Sequence, residues 1–402
     1  MGRRVSRIVK IGGFNHPGPA GSTESLSLGG DFPVVIQTMW KDGLSFSDLE
    51  GEGGERLMGR ILGLKAMGCG LLRFAVPDLE AAEVLGRLAA MVPMPLVADI
   101  HFDYKIALRC LDFPIAKIRI NPGNIGGRDR VEAVLGRAAE KGVPIRIGVN
   151  GGSLPRDLRR RVDEGMDRAE ALAEAAEREL AVFRDFDFSP VVVSLKASSP
   201  AETIRANRVL AGRTETPFHI GLTEAGPLVA GVAGNTAALL ALLREGIGDT
   251  IRVSLSDTME NEVIAGREIL RIAGDLFGDA DSDSDVGDNV GGGAGTVASG
   301  AARGGRFGRG GVSIVSCPRC GRNGFDTHSF AERWLGRLYR LDKNITVAIM
   351  GCAVNGPEEA RHADLGITGA GNKVLLFRRG KVVRTIEAAE ADSAFLEELE
   401  KL

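Results

Sequence analysis

Between residues 33 and 256 the chain alternates short apolar runs with longer amphipathic stretches. The runs are rich in Val and Ile, and they predict strands over 33–39, 71–76, 95–100, 115–120, 144–149, 190–197, 218–224 and 250–256. Helices are predicted between them, for example over 131–141 and over 228–245, the latter closed by Gly246. Nearly continuous apolar strands are buried on both faces, as in a parallel sheet. Eight such strand–helix units in roughly 270 residues predict a (β/α)8 barrel. A doubly wound open sheet is the alternative, but no G-x-G-x-x-G follows the first strand.

The pattern breaks at residues 278–311, which are mostly Gly, Asp and Ser with little to bury. This segment predicts a linker that, as a flexible coil, would span roughly 30 Å. Beyond it the pattern reads strand, Cys loop, helix (329–341), strand (345–349), second Cys loop, hairpin (374–386) and final helix. The predicted organisation is therefore a barrel over 1–277, a linker over 278–311 and a small α/β domain over 312–402.

Composition narrows the function classes. The chain has 402 residues, 44% of them hydrophobic, and a net charge of -3, which disfavours a general nucleic-acid binder. Five cysteines are too few and too scattered for a disulfide scaffold, so a reducing cytoplasm is expected. No run of 18 apolar residues predicts a membrane span, and the first residues lack the apolar stretch of a signal peptide.

The predicted strands carry polar groups at their C-terminal ends, where a core would not want them. These are Arg73; Asp99 and His101; Arg119 and Asn121; Arg146 and Asn150; Lys196; Thr223 and Glu224; and Arg252 and Ser254. Alternation along a strand puts Asp99 with His101, Arg119 with Asn121, and Arg252 with Ser254 on one face. In a barrel those ends converge on the rim where active sites of this fold lie. Arg73, Arg119, Arg146, Lys196 and Arg252 then outnumber Asp99 and Glu224. Unpaired buried cations are too costly to stand alone, so a multiply charged anion is expected, and arginine forks favour phosphate or diphosphate. Taken singly, each residue reads more readily as a salt bridge or a solvated strand end; it is the same feature at seven of the eight strand ends that points to a site. Lys196 alone also fits a Schiff-base lysine.

Cys317 and Cys320 form a C-x-x-C in "SCPRCGR", and Cys352 lies in "MGCAVNGPEEA". A dithiol redox pair has no use for Cys352. A structural zinc would need a fourth ligand such as His362. An iron–sulfur cluster on these thiolates would leave one iron for a weaker ligand, for which Glu359 is a candidate. Cys69 and Cys110 read as small buried hydrophobes.

The strings "PLVADIHFDYKIAL", "RINPGNIG", "VSLKAS", "GLTEAG", "EGIGDTIRVSL", "CPRC" and "GCAVNGP" resemble those of the 4-hydroxy-3-methylbut-2-enyl diphosphate synthases, reductive enzymes of non-mevalonate isoprenoid synthesis. The resemblance covers most of 33–275 and 312–370. It implies a (β/α)8 barrel followed by a [4Fe-4S] domain. It also implies two-electron reductive ring opening and dehydroxylation of 2-C-methyl-D-erythritol 2,4-cyclodiphosphate, with ferredoxin or flavodoxin as electron donor, in a homodimer. By motif, Cys317, Cys320, Cys352 and Glu359 match the cluster ligands. Arg73, Asp99, His101, Arg119, Asn121, Arg146, Asn150, Lys196, Thr223, Arg252 and Ser254 match the substrate pocket, and Glu224 its acidic residue, a candidate proton donor. Two departures stand out. The loop after the first strand reads "QTMWKDGLSFSD" instead of a Thr/Asn-rich segment, and Glu358 replaces a glycine beside Glu359. The competing readings are a barrel aldolase or lyase using Lys196 with a structural zinc domain, and a non-enzymatic zinc-ribbon module on an inactive barrel.

Overall fold

The computed structural model describes residues 4–12, 25–278, 307, 311–317, 324–352, 361–370 and 372–402. They form two compact units, one holding the barrel and one holding residues 311–402. Most of the predicted linker lies outside the described residues.

The first unit opens with an antiparallel pair, β1 (Val9–Ile11) and β2 (Leu26–Leu28). Eight parallel strands follow: β3 (Val35–Met39), β4 (Cys69–Ala75), β5 (Leu96–Asp99), β6 (Lys117–Ile120), β7 (Ile145–Asn150), β8 (Val191–Lys196), β9 (His219–Ile220) and β10 (Thr250–Ile251). Their order is β8-β7-β6-β5-β4-β3-β10-β9. The two ends of that order meet through a single bridge, Val193 to Phe218, with the Val193 N–H donating to the Pro217 carbonyl at 2.9 Å. The closed sheet is the predicted (β/α)8 barrel.

Helices between the strands begin where side chains satisfy free backbone N–H groups. Asp78 accepts from the Ala81 N–H ahead of Leu79–Met91, Asp167 from the Ala169 N–H ahead of Arg168–Asp185, and Thr258 from the Asn261 N–H ahead of Met259–Phe277. The helix predicted over 131–141 starts earlier, at Arg128, and ends at Gly142 with φ 68°, a left-handed cap that glycine adopts without strain.

Two strand predictions need correction. The runs 218–224 and 250–256 are strands only as β9 and β10, two residues each. The chain leaves the ladder at Gly221, where a Cβ would lie 2.2 Å from the Arg252 carbonyl oxygen. The next N–H, of Leu222, donates to the Asn235 side chain on the following helix. Apolar alternation continues past this point because the loops still pack inward. The pair β1/β2 was not anticipated. Val9, Ile11 and Leu28 pack on Leu71, Val97, Ala116 and Val192, closing the barrel at the N-terminal ends of its strands.

The second unit is a five-stranded sheet of order β11-β12-β13-β14-β15: β11 (Ser313–Ser316), β12 (Thr346–Met350), β13 (Leu365–Ala370), β14 (Lys373–Arg378) and β15 (Lys381–Glu387). β11, β12 and β13 are parallel, and the predicted hairpin is β14/β15. Helices Thr327–Leu338 and Ala391–Glu400 bring Phe330, Trp334 and Phe395 into an aromatic core against Val347, Ile349, Leu365 and Ile367. The unpredicted β13 contains Gly366, where a Cβ would meet the Phe377 ring at 2.0 Å, so the cross-strand aromatic demands the glycine. Among the described residues no helix is long and apolar enough to cross a membrane.

Ile11 is fully buried in the barrel floor. Ile11→Ala should destabilise the barrel by about 2–5 kcal/mol, the usual cost of such a truncation. Urea unfolding followed by Trp40 fluorescence, in a Trp334→Phe background, measures it; a change below about 0.5 kcal/mol, that of an ordinary surface substitution, would show that the β1/β2 pair is not part of the core.

Candidate active site

Parallel strands in register put paired residues on the same face. Asp99 pairs with Arg119, and Arg119 with Arg146, so these three form one row across β5, β6 and β7. Asp99 is buried and accepts from the Arg119 Nη1 at 3.1 Å; the Arg73 Nε of β4 lies 3.5 Å from its other oxygen. His101 follows β5 with its ring half exposed. Its Nε2 lies 3.4 Å from Asp99 and 2.9 Å from the Arg119 Nη1. Asp99 and His101 therefore meet, although the strand ends at Asp99. Asn121 lies just beyond β6, where its side chain caps the short helix Pro122–Ile125 by accepting from the Gly123 N–H at 3.1 Å. Arg146 is buried in β7 and donates to the Ser194 Oγ at 3.2 Å. Asn150 and Lys196 are register partners at the ends of β7 and β8.

The remaining rim residues sit on loops, not strands. Thr223 donates its backbone N–H to the Ala197 carbonyl. Glu224 is exposed, with a left-handed φ of 52° that a non-glycine residue adopts only under strain. It makes no ion pair among the described residues. Arg252 and Ser254 follow β10 and are half-buried. The Arg252 guanidinium is held by Glu262, at 3.2 Å from its Nη2 and 3.3 Å from its Nε. This corrects the expected charge balance: the buried carboxylate opposite Asp99 is Glu262, not Glu224.

Sequence reasoning also missed Lys117. It lies two residues before Arg119 and so on the same face one layer deeper, fully buried, with its Nζ 3.3 Å from the Gln37 Oε1. His219, fully buried in β9, bonds the Thr250 hydroxyl at 2.7 Å. "KIRI" shows Lys117 plainly, but an inward lysine in a barrel strand reads at first as solvated.

Electrostatically the site lacks negative charge. Burial, followed by the neighbouring cations Arg73, Arg119 and Arg252, pushes Arg146 well below its ordinary range, and Lys196 is depressed by burial and by Arg146, Arg252 and Arg73. Burial and Arg146 do the same to Lys117. Arg73 is lowered to about 10, chiefly by burial, despite the Coulombic help of Asp99. Burial would raise Asp99, but Arg73, the His101 hydrogen bond and Arg119 hold it below the usual carboxylate range. The buried Nε atoms of Arg73, Arg119 and Arg146 have no hydrogen-bond partner among the described residues. Unused donors and depressed cations are what an anion would complete.

In the second unit, Cys317 directly follows β11 and Cys352 lies two residues beyond β12. These are adjacent parallel strands, with Ser316 opposite Ile349. The Cys317 N–H donates to the Ile349 carbonyl at 2.9 Å, and the Gly324 N–H to the Gly351 carbonyl at 2.8 Å, so the two Cys loops are tied at their bases. Gly369 of β13 lies beneath them: a Cβ there would come 2.7 Å from both Gly324 and Gly351. Cys320, Glu358 and Glu359 lie outside the described residues. His362 is exposed, and among the described residues no three His, Cys, Asp or Glu side chains gather to hold a metal. Cys69 and Cys110 are buried, their thiols pushed up to about 12 mainly by burial.

Comparison with known proteins assigns both units. The family model described as the GcpE TIM-barrel domain matches residues 21–267, and that of the GcpE protein C-terminal domain matches 313–401. The 4-hydroxy-3-methylbut-2-en-1-yl diphosphate synthase (flavodoxin) of Treponema pallidum is 47% identical, over 99% of this chain and 92% of its own length. That of Treponema denticola is 42% identical, over 98% and 99%. Among solved structures, a dihydropteroate synthase of Thermus thermophilus covers 68% of this chain and 100% of its own, at a TM-score of 0.44 and 17% identity. With a barrel model spanning more than half of the sequence and such relatives across nearly all of it, the chain belongs to the GcpE family, that of the 4-hydroxy-3-methylbut-2-en-1-yl diphosphate synthases.

Proposed function

We propose that the chain performs the two-electron reductive ring opening and dehydroxylation of 2-C-methyl-D-erythritol 2,4-cyclodiphosphate to 4-hydroxy-3-methylbut-2-enyl diphosphate. The observation that carries this reading is the group of buried, under-neutralised cations at the barrel rim, in a chain of this family. Arg73, Arg119, Arg146, Lys196 and Arg252 would bind the diphosphate, and Asn121, Asn150, Thr223 and Ser254 would bond its remaining oxygens and the substrate hydroxyls. Asp99 and His101 orient Arg119. Residues 1–277 would bind substrate, 278–311 would link, and 312–402 would carry the cofactor.

The proposed cofactor is a [4Fe-4S] cluster on Cys317, Cys320 and Cys352, with Glu359 as the fourth ligand. The described part of that set fits. Cys317 and Cys352 leave neighbouring strand ends, and the backbone beneath them is packed too closely at Gly369 for a side chain. When bound, the cluster supplies the electrons, received from flavodoxin, the donor named for the relatives, or from ferredoxin. A cytoplasmic homodimer is the proposed working form, on the family resemblance. The aldolase reading keeps one observation, the depressed Lys196 amine. The family and the tied cysteine loops favour the reductase.

The chain's own chemistry is proton supply and charge stabilisation. One ring C–O bond opens onto phosphate and a hydroxyl departs as water, so a proton must reach a poor leaving group. Glu224 is the proposed donor or relay: it stands at the rim beside Thr223 and is not consumed by an ion pair among the described residues.

Cys317→Ser and Cys352→Ser should each lose the brown chromophore near 400 nm and all turnover while the barrel keeps its helical circular dichroism. A Cys352→Ser protein with full iron content and the parent rate would refute the ligand set. Arg119→Ala and Arg146→Ala should each weaken cyclodiphosphate binding by about 10–150-fold, the equivalent of one charge-assisted contact of about 1.5–3 kcal/mol. Titration calorimetry decides, and unchanged affinity in both removes them from the pocket. Glu224→Gln should still bind substrate and accept electrons but turn over at least ~100-fold more slowly. Near-normal turnover under saturating reductant would exclude the proton role and turn attention to His101.

A further inference from the structure

The barrel's first and last strands, β3 and β10, share only two residue pairs, Val35 with Thr250 and Ile36 with Ile251. Past these pairs a carboxylate, Glu262, and the Lys41 ammonium bridge the seam. Glu262 lies in the first turn of the helix Met259–Phe277 and is buried. It accepts from the Thr38 hydroxyl at 2.6 Å and lies 3.0 Å from the Lys41 Nζ, both on the β3 side. From the β10 side it accepts from the Arg252 guanidinium and, at 3.0 Å, from the Leu255 N–H. The helix terminus adds favourable dipole at this position. Burial would raise the carboxyl, but Arg252, Thr38 and the Leu255 N–H hold it below the usual carboxylate range.

Lys41 stands in the loop "QTMWKDGLSFSD". An ammonium has three N–H groups. Lys41 donates to the Leu255 carbonyl 2.8 Å away and to the Asp257 carbonyl, and it forms an ion pair with Glu262. Two donors and the charge are used within the protein, so Lys41 is a strap across the seam and not a spare cation for a ligand.

We propose that Glu262, strapped by Lys41, is a positioning residue that fixes the direction of the Arg252 guanidinium and thereby sets the affinity for the anionic substrate. The inference rests on the pocket reading of Arg252. A long side chain with several rotatable bonds loses entropy when it docks on phosphate, and a neighbour that orders it beforehand removes that cost. Bulk electrostatics gives the opposite sign. Removing Glu262 makes the rim more positive, and on charge alone an anion should bind more tightly. The clasp requires weaker binding.

Dissociation constants for the cyclodiphosphate and turnover numbers, measured on anaerobically reconstituted full-length protein, separate these. Glu262→Gln keeps the size and an acceptor but removes the charge that holds Lys41 and Arg252 together. It should weaken binding at least ~10-fold, the lower end for a charge-assisted bond. Lys41→Met should act in the same direction. In an Arg252→Ala background, Glu262→Gln should add less than about 2-fold, because a residue acting through Arg252 has nothing left to act on. Thermal melting checks each variant's fold; if Glu262→Gln does not fold, Lys41→Met and its combination with Arg252→Ala carry the same criteria. Wild-type or tighter binding in the clasp variant, or fully additive loss in the double variant, overturns the clasp while Arg252→Ala still shows the pocket reading to hold. Wild-type affinity in Arg252→Ala overturns both.

Discussion

Positive charge buried faster than it is neutralised is the constraint on which the barrel's C-terminal end depends. Burying an ammonium or guanidinium costs several kcal/mol even after relaxation, a large fraction of a domain's ~5–15 kcal/mol net stability. The protein divides this load. Asp99 takes Arg73 and Arg119, and Glu262 takes Arg252 and Lys41. Lys117, Arg146 and Lys196 have no carboxylate ion pair among the described residues; Gln37 and Ser194 offer Lys117 and Arg146 neutral oxygens instead. The apolar floor built from β1 and β2, and the helices packed around the sheet, supply the stability that lets this rim exist.

The fold delivers these groups by simple geometry. Parallel register places Asp99, Arg119 and Arg146 in one row, and the two-residue period places Lys117 one layer beneath. On the opposite side, β9 and β10 end early, so Thr223, Glu224, Arg252 and Ser254 are presented by loops. Gly221 allows this by passing close to the Arg252 carbonyl, and the strained backbone at Glu224 points to the same turn. Strain at a non-glycine residue persists only where its surroundings over-determine it.

Much of this was legible beforehand because a parallel barrel writes its strands as uninterrupted apolar runs. What escaped did so for physical reasons. The ends of β9 and β10 were hidden because inward packing continues after the ladder stops, so the pattern of 218–224 and 250–256 does not change where the hydrogen bonds do. β13 was hidden by Gly366 and Gly369, which weaken any strand pattern yet are demanded by the Phe377 ring and the Cys-loop backbone. Three-residue strands such as β1 and β2 carry too short a pattern to read. Glu262 was missed because its partners Thr38 and Arg252 are far from it or outside its helix, and nothing local marks a first-turn glutamate as buried. The second unit's thiols were legible as a set, but that Cys317 and Cys352 follow neighbouring strands comes from the pairing of β11 with β12, a long-range fact.

The unequal division of charge bears on the proposed reaction itself. A cyclic diphosphate carries one ionised oxygen on each phosphorus, and opening the ring at carbon frees another phosphate oxygen to take charge. Negative charge at the rim therefore grows as the bond breaks. A site that neutralised only the bound substrate would stabilise ground state and transition state alike and would not accelerate the step. On the proposed reading, Lys117, Arg146 and Lys196, without carboxylate ion pairs among the described residues, would be a reserve that charge development could use. The depressed amines give this reserve a sign. Burial and the neighbouring arginines lower the proton affinity of Lys117 and Lys196, and an arriving anion would act in the opposite direction. In the proposed reaction such a rim would favour the developing charge of the opened diphosphate over that of the ring, which is the asymmetry that a reductive ring-opening enzyme needs from its barrel.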